Sequence, residues 1–170
     1  MCLFLILILS FFNFNPPYAY QPPMHIKFAD SIQEVVGERL EKRHQMENIG
    51  QCGALFDKIN SLGFRFQATG PKTKEELREI LIDCAEDLVN AVNRTEGISQ
   101  YLPSYPFTIE QADIAIFLRD KQNGDFIYPL YSTAGINQGR LRFYTVDKYG
   151  MGYKTRESES YEEALKALGR

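Results

Sequence analysis

Few residue types in this chain of 170 residues can do chemistry by themselves. There are three cysteines, two histidines and no tryptophan. Cys2 precedes an apolar N-terminal block, which leaves Cys52 and Cys84 as an even pair in the rest of the chain. In an oxidising compartment such a pair is read as a disulfide. The alternative is two separate buried thiols acting as small hydrophobes. The spacing keeps both open, and a bridge would require the apolar faces carrying Cys52 and Cys84 to meet at Cα distances a disulfide can span.

The histidines are His25, in a proline-rich stretch, and His44, beside Lys42 and Arg43 at the end of a helical pattern. Neither has His, Cys or carboxylate neighbours at ligand spacing, so no metal or cofactor is expected. His44 is placed to complement the negative end of a helix dipole. The carboxylate pairs Glu75-Glu76, Glu86-Asp87 and Glu162-Glu163 are adjacent in predicted helices. Adjacent helical positions do not face each other across a cleft, as a glycosidase pair must. There is no nucleophile elbow, and Gly135 to Gly139 lacks the Lys and Ser/Thr of a phosphate loop. The reading leans away from an enzyme, with no catalytic residue named. A small hydrolase whose residues are scattered along the chain is the alternative.

Surface-forming residues are more informative. Tyr101, Tyr105, Tyr128, Tyr131 and Tyr144 fall in the C-terminal part with Phe107, Arg140 and Arg142. Tyr and Arg dominate binding hot spots, because they bury large area while keeping a hydrogen-bonding tip. These eight residues are the candidate binding set. The same tyrosines equally suit half-buried sheet positions, and the Pro103 to Phe107 stretch suits an apolar strap. Net charge is -3, with 19 basic and 22 acidic residues interleaved. That pattern is unlike a nucleic-acid surface, which gathers its cations on one face.

The elements that must position these residues follow from periodicity. Residues 3 to 14 are almost uninterruptedly apolar, and no charged side chain precedes Lys27. The block fits a signal-peptide core and is shorter than the ~20 residues of a spanning helix. Residues 1–19 are therefore read as a signal peptide, ending near Ala19, or as a short membrane anchor. The n-region lacks Lys and Arg, and Pro17 is a poor residue two before the cleavage point. Residues 20–25 read as a linker and 26–170 as a single α+β domain.

Within the domain, apolar spacing predicts a first helix from Asp30 to about Met46 and a second from about Glu47 to Ser61. A short strand over Phe64 to Ala68 comes next. A third helix opens on a Thr73-x-x-Glu76 capping box and runs to about Arg94. The C-terminal third reads as a meander, with strands at Asp113 to Arg119, Phe126 to Thr133 and Leu141 to Asp147, and a short fourth through Lys154 to Arg156. Ser160-x-x-Glu163 caps a last helix. The expected fold is α+β: N-terminal helices packed on one face of a three- to four-stranded antiparallel sheet, with a short C-terminal helix. Asn93-Arg94-Thr95 also matches a glycosylation sequon.

The run Glu79-Ile80-Leu81-Ile82-Asp83-Cys84 through Val89-Asn90-Ala91-Val92-Asn93, then Tyr101-Leu102, Tyr105-Pro106-Phe107-Thr108 and the late Tyr161-Glu162-Glu163-Ala164, resembles a pattern in uncharacterised small exported bacterial proteins. The resemblance implies a bacterial setting that is periplasmic, envelope-associated or secreted, and it transfers no catalytic residue. The expected role is non-enzymatic: a protein-binding or envelope-associated domain, touching membrane only through an uncleaved N-terminal segment.

Overall fold

The protein is described from a computed structural model, covering residues 21–147 and 152–170. The segment read as a signal peptide or anchor, and residues 148–151, lie outside these residues. Pro23 sits at the N-cap of helix α1, Met24–His44, and its carbonyl accepts from the amides of Ile26 and Lys27. The helix thus starts six residues earlier than Asp30, because the prolines end at the cap and a proline there sacrifices no helical donor. α1 buries Ala29, Ile32, Val36 and Leu40 on one stripe.

The second predicted helix does not form. Its residues make strand β1, Glu47–Ala54, and a loop leading into strand β2, Ser61–Thr69, with which β1 pairs antiparallel. The spacing of Ile49, Cys52, Leu55 and Ile59 imitated a helical stripe. Gly50 and Gly53 inside it cost a helix about 1 kcal/mol each, and the chain gains a ladder of backbone hydrogen bonds by extending instead.

Helix α2, Lys74–Arg94, begins on the Thr73/Glu76 capping box expected of it. It leads through two short 3-10 turns to strand β3, Ala112–Arg119, which lies parallel to β2. Strands β4, Thr133–Asn137, β5, Arg140–Val146, and β6, Tyr153–Ser160, then add in antiparallel succession. Gln138 and Gly139, both at positive φ, form the two-residue turn between β4 and β5. Helix α3, Tyr161–Ala167, starts on the Ser160/Glu163 capping box.

The fold is therefore α+β, but the sheet has six strands in the order β1-β2-β3-β4-β5-β6 and is mixed. The expected three- to four-stranded antiparallel sheet is corrected on both counts. A helix between β2 and β3 carries the chain back over the sheet, which makes that pair parallel. The extra strand is the misread second helix. Residues 126–132, expected as a strand, meet β3 through an Arg119–Phe126 bridge and a 2.8 Å hydrogen bond from the Leu118 amide to the Ser132 carbonyl, and β4 is the segment that follows them.

α1 and α2 lie on the same side of the sheet. Beneath them the core is Leu62, Phe64 and Phe66 of β2, Ile114, Ile116 and Leu118 of β3, Ile136 of β4, and Leu141 and Phe143 of β5. Gln33, buried on α1, donates to the carbonyls of Cys52 and Gly63 and ties the helix to the first two strands. No helix among the described residues is long and apolar enough to cross a membrane.

Candidate functional site: the open face of the sheet

Strand alternation sends every second side chain away from the helices. In β2 and β3 these are Gly63, Arg65, Gln67 and Asp113, Ala115, Phe117, Arg119; in β4 and β5 they are Thr133, Gly135, Asn137 and Arg140, Arg142, Tyr144. Register joins them into rows across the sheet. One row runs Arg65, Ala115, Gly135, Arg142 and another runs Gln67, Phe117, Thr133, Tyr144. None of the described helices covers this face.

At the β1 side, the Arg65 guanidinium grips the Asp113 carboxylate with two hydrogen bonds of 3.0 Å. The Cys52 thiol donates to the Asp113 carbonyl at 3.4 Å. Burial pushes that thiol up to about 11, the Asp113 charge adding to the effect and Arg65 opposing it, so it is a poor nucleophile at neutral pH. Gly63 is required here: a Cβ at this position would lie 1.6 Å from the Asp113 carbonyl oxygen.

At the centre, Ala115 and Gly135 are too small to fill the space above the strands. They leave a hollow of about 130 Å³ bounded by Asp113, Asn137, Thr133, Arg142 and Tyr144. A Cβ on Gly135 would meet the Ile114 carbonyl at 2.9 Å. The Thr133 hydroxyl is buried there without a hydrogen-bond partner. Among the described residues, neither Arg140 nor Arg142 has a carboxylate in ion-pair range.

At the far end of β3 the face turns aromatic. The Arg119 guanidinium stacks 3.8 Å from the Phe126 ring centroid, Phe126 meets Tyr153 edge-on at 5.8 Å, and Tyr153 meets Tyr144 at 6.3 Å. Tyr128 and Leu130 are exposed in the preceding loop.

The eight residues of the candidate set are thus divided. Arg140, Arg142 and Tyr144 share the open face. Tyr131 packs on the helix side, its ring 5.7 Å from Phe143 and its hydroxyl donating to the Glu157 carboxylate. Burial, with the Glu157 hydrogen bond and charge, holds that phenol above its ordinary range. Tyr101 and Phe107 lie at the opposite end of β3 and work as a strap. Tyr101 packs on Phe28 at 5.4 Å, and Phe107 is buried with its amide and carbonyl both held by the Asn93 side chain at 2.8 Å. Tyr105, on the same strap, is 58% exposed. The side chain of the Asn93 sequon is therefore occupied in holding the strap.

The cysteine expectation also changes. Cys52 sits on strand β1 rather than on a helix, with its thiol on the open face, while Cys84 is buried in α2 on the other side of the sheet. Both are free thiols, because the sheet stands between them. Burial raises the Cys84 thiol as well.

Sequence reasoning missed Arg65, Asp113, Phe117, Thr133 and Phe126. The alternation of Asp113, Ala115, Phe117 and Arg119 against Ile114, Ile116 and Leu118 was the available signal for one of the rows. Nothing local indicates that Arg142 and Tyr144 lie beside it.

A second concavity, about 500 Å³, lies between the end of α1 and the side of α2. There the Asp83 carboxylate receives His44 Nε2 and Arg43 Nη1, each at 2.7 Å. Burial pushes the Asp83 carboxyl up, and the hydrogen bonds and charges of Arg43 and His44 outweigh it, leaving it below its ordinary value. The side chains lining this cleft include no serine, threonine or cysteine. Among the described residues no cluster of three His, Cys, Asp or Glu is placed to hold a metal ion. No family model, curated protein or solved structure matches the chain.

Proposed function

We propose that this is a non-enzymatic protein-binding domain, exported to the bacterial envelope or beyond it, that receives an acidic extended segment of a partner protein across its open sheet face. One observation carries the reading. Among the described residues Arg140 and Arg142 have no carboxylate in ion-pair range, and Arg142 borders the central hollow near half-exposed Phe117 and Tyr144, on a face no described helix covers. Uncompensated cations next to aromatic rings favour an anionic partner and set orientation and on-rate more than raw affinity.

The test is fluorescence anisotropy with a poly-glutamate peptide, and with poly-lysine and neutral peptides as controls. The expectation is selective binding of poly-glutamate that weakens with added salt, and falls about tenfold in the Arg140→Ala/Arg142→Ala double variant. Thermal melting of that variant should match the parent. Equal binding of all three peptides, or full binding by the double variant, would sink the proposal.

The second reading, a small secreted hydrolase, draws on the His44–Asp83 pair in the polar cleft. Arg43 already neutralises that carboxylate, and no serine, threonine or cysteine lines the cleft to be activated by the imidazole. A panel of ester and amide substrates that the parent hydrolyses and His44→Ala does not would favour it over the binding domain.

A further inference from the structure

One end of the molecule gathers features that neither the sheet nor the polar cleft uses. α1 begins there at Met24, which is 50% exposed. The loop from β1 to β2 comes to the same place, because His25 Nε2 lies 3.3 Å from the Leu55 carbonyl and 3.1 Å from that of Phe56. His25 is itself buried, so the loop is pinned to the first turn of the helix. The consequence is that Phe56 stands 93% exposed at the tip. With Met24 beside it, Phe56 makes more than a lone exposed apolar side chain, and a group of such side chains at one end marks a contact surface.

The strap joins this end from the other side. The Ile59 amide donates to the Tyr101 carbonyl at 2.8 Å, Lys58 Nζ donates to the Leu102 carbonyl at 3.1 Å, and Phe28 of α1 packs on Tyr101. The exposed Tyr105 follows four residues on.

The sequence places the apolar block at residues 3 to 14, and α1 starts at Met24. Residues 15–23 span at most about 30 Å even when fully extended. A bilayer holding the apolar block therefore lies within about 30 Å of Met24, and Phe56 beside it. Lys27, Asp57 and Lys58 leave this end with a net charge of only one, and Lys58 is engaged by the Leu102 carbonyl, so attraction to anionic headgroups is not the organising force. Aromatic and apolar tips that dip into the headgroup boundary are the usual contact of such a surface.

We infer that the end of the domain carrying Met24 and Phe56 is a lipid-contacting surface, seated on the bilayer that the N-terminal apolar block engages. This rests on the anchor form of the reading of residues 1–19 and extends it to a second point of contact, one that orients the domain. The open sheet face is then held away from the lipid plane rather than pressed onto it.

The chain contains no tryptophan, so Phe56→Trp creates a single fluorophore at the tip. The full chain is reconstituted in phosphatidylcholine vesicles, with and without brominated acyl chains. Tyr128→Trp, at the other end of the sheet, and Val35→Trp, on the outer face of α1, report other orientations. The expected result is a blue shift and strong bromolipid quenching at position 56, little at 128 and 35, and no dependence on added phosphatidylglycerol. Vesicle-bound chain whose position-56 emission stays water-exposed, or stronger quenching at 35 than at 56, overturns the inference and leaves the anchor reading standing. A chain that does not sediment with vesicles defeats both. Phe56→Ser should stay vesicle-bound through the apolar block, while quenching in the Phe56→Ser/Tyr105→Trp variant falls below that in Tyr105→Trp alone. Equal quenching in those two also overturns it.

Discussion

The two faces of the sheet are made from the same strands and obey different physics. On the helix side, Phe64, Phe66, Ile114, Ile116 and Phe143 are sealed under α1 and α2, with Phe64 and Phe66 stacked at 5.4 Å. On the open side the same strands carry half-exposed Arg65, Asp113, Gly135 and Arg142 and a buried Thr133, and leave a hollow. The first face is organised by volume and the second by charge, aromatic tips and the small residues that let backbones approach. A face that must exclude water tolerates little change, whereas one that meets a partner is free to keep unpaired groups.

The sharpest way to break this contrast is to truncate one aromatic ring on each side. Phe64→Ala should cost about 3–5 kcal/mol in urea unfolding, because a fully buried ring leaves a cavity. Phe117→Ala on the open face should cost less than about 1 kcal/mol. Equal losses would mean that the open face is a second core.

The next effect falls where the covered face ceases to be apolar. At β6 the strand presents Glu157 and Glu159 toward α2. Arg78 binds Glu159 through two hydrogen bonds of 2.7 and 3.1 Å, and Lys74 reaches the same carboxylate at 3.3 Å. Arg78→Ala leaves a largely buried carboxylate with Lys74 as its one cation and should cost about 2 kcal/mol. Burial pushes the Glu159 carboxyl up, but the hydrogen bonds and charges of Arg78 and Lys74 outweigh it and leave it below its ordinary 4.5. A depressed folded value means that the stability from this group is fully present above pH 4.5 and is lost as pH falls through the lower folded value. Urea midpoints followed from neutral pH into acid should fall less steeply for Glu159→Gln than for the parent.

The smallest effect belongs to the open face. Thr133 buries a hydroxyl with no partner, so the isosteric Thr133→Val should stabilise the free domain by about 1 kcal/mol. A loss on that substitution would show that the hydroxyl is satisfied in solution and that the hollow is wetter than its geometry indicates.

The capping boxes at Thr73 and Ser160 were legible in sequence and form as expected. They are local: four residues contain both donors and both acceptors. The amphipathic stripe of α2 was legible for the same reason. The alternation of β3 predicted its inward side chains. By contrast, residues 47–54 carried an apolar spacing compatible with a helix, and only pairing with Ser61–Thr69 made them a strand. An edge strand has one mostly exposed ladder, so its own hydrophobic pattern is weak.

The candidate site divides along the same line. Tyr144, Arg140 and Arg142 were found from residue type, because Tyr and Arg on a strand are either packing or recognition. Tyr131 and Phe107 were drawn in by the same reasoning, yet they face inward, since side-chain direction depends on what crosses above each position. The partners Arg65, Asp113 and Thr133 come from strands distant in sequence and become neighbours only through register.

What the sequence determined by itself was therefore whatever is encoded within a turn or two of chain: the starts of α2 and α3, the stripe of α2, the alternation of β3, and the apolar block near the N-terminus. What only the tertiary structure decided was the parallel β2–β3 pairing, the sheet standing between Cys52 and Cys84, and the assembly of the open face. Those depend on contacts between residues tens of positions apart, and their free energy is gained only when the whole sheet closes under its helices.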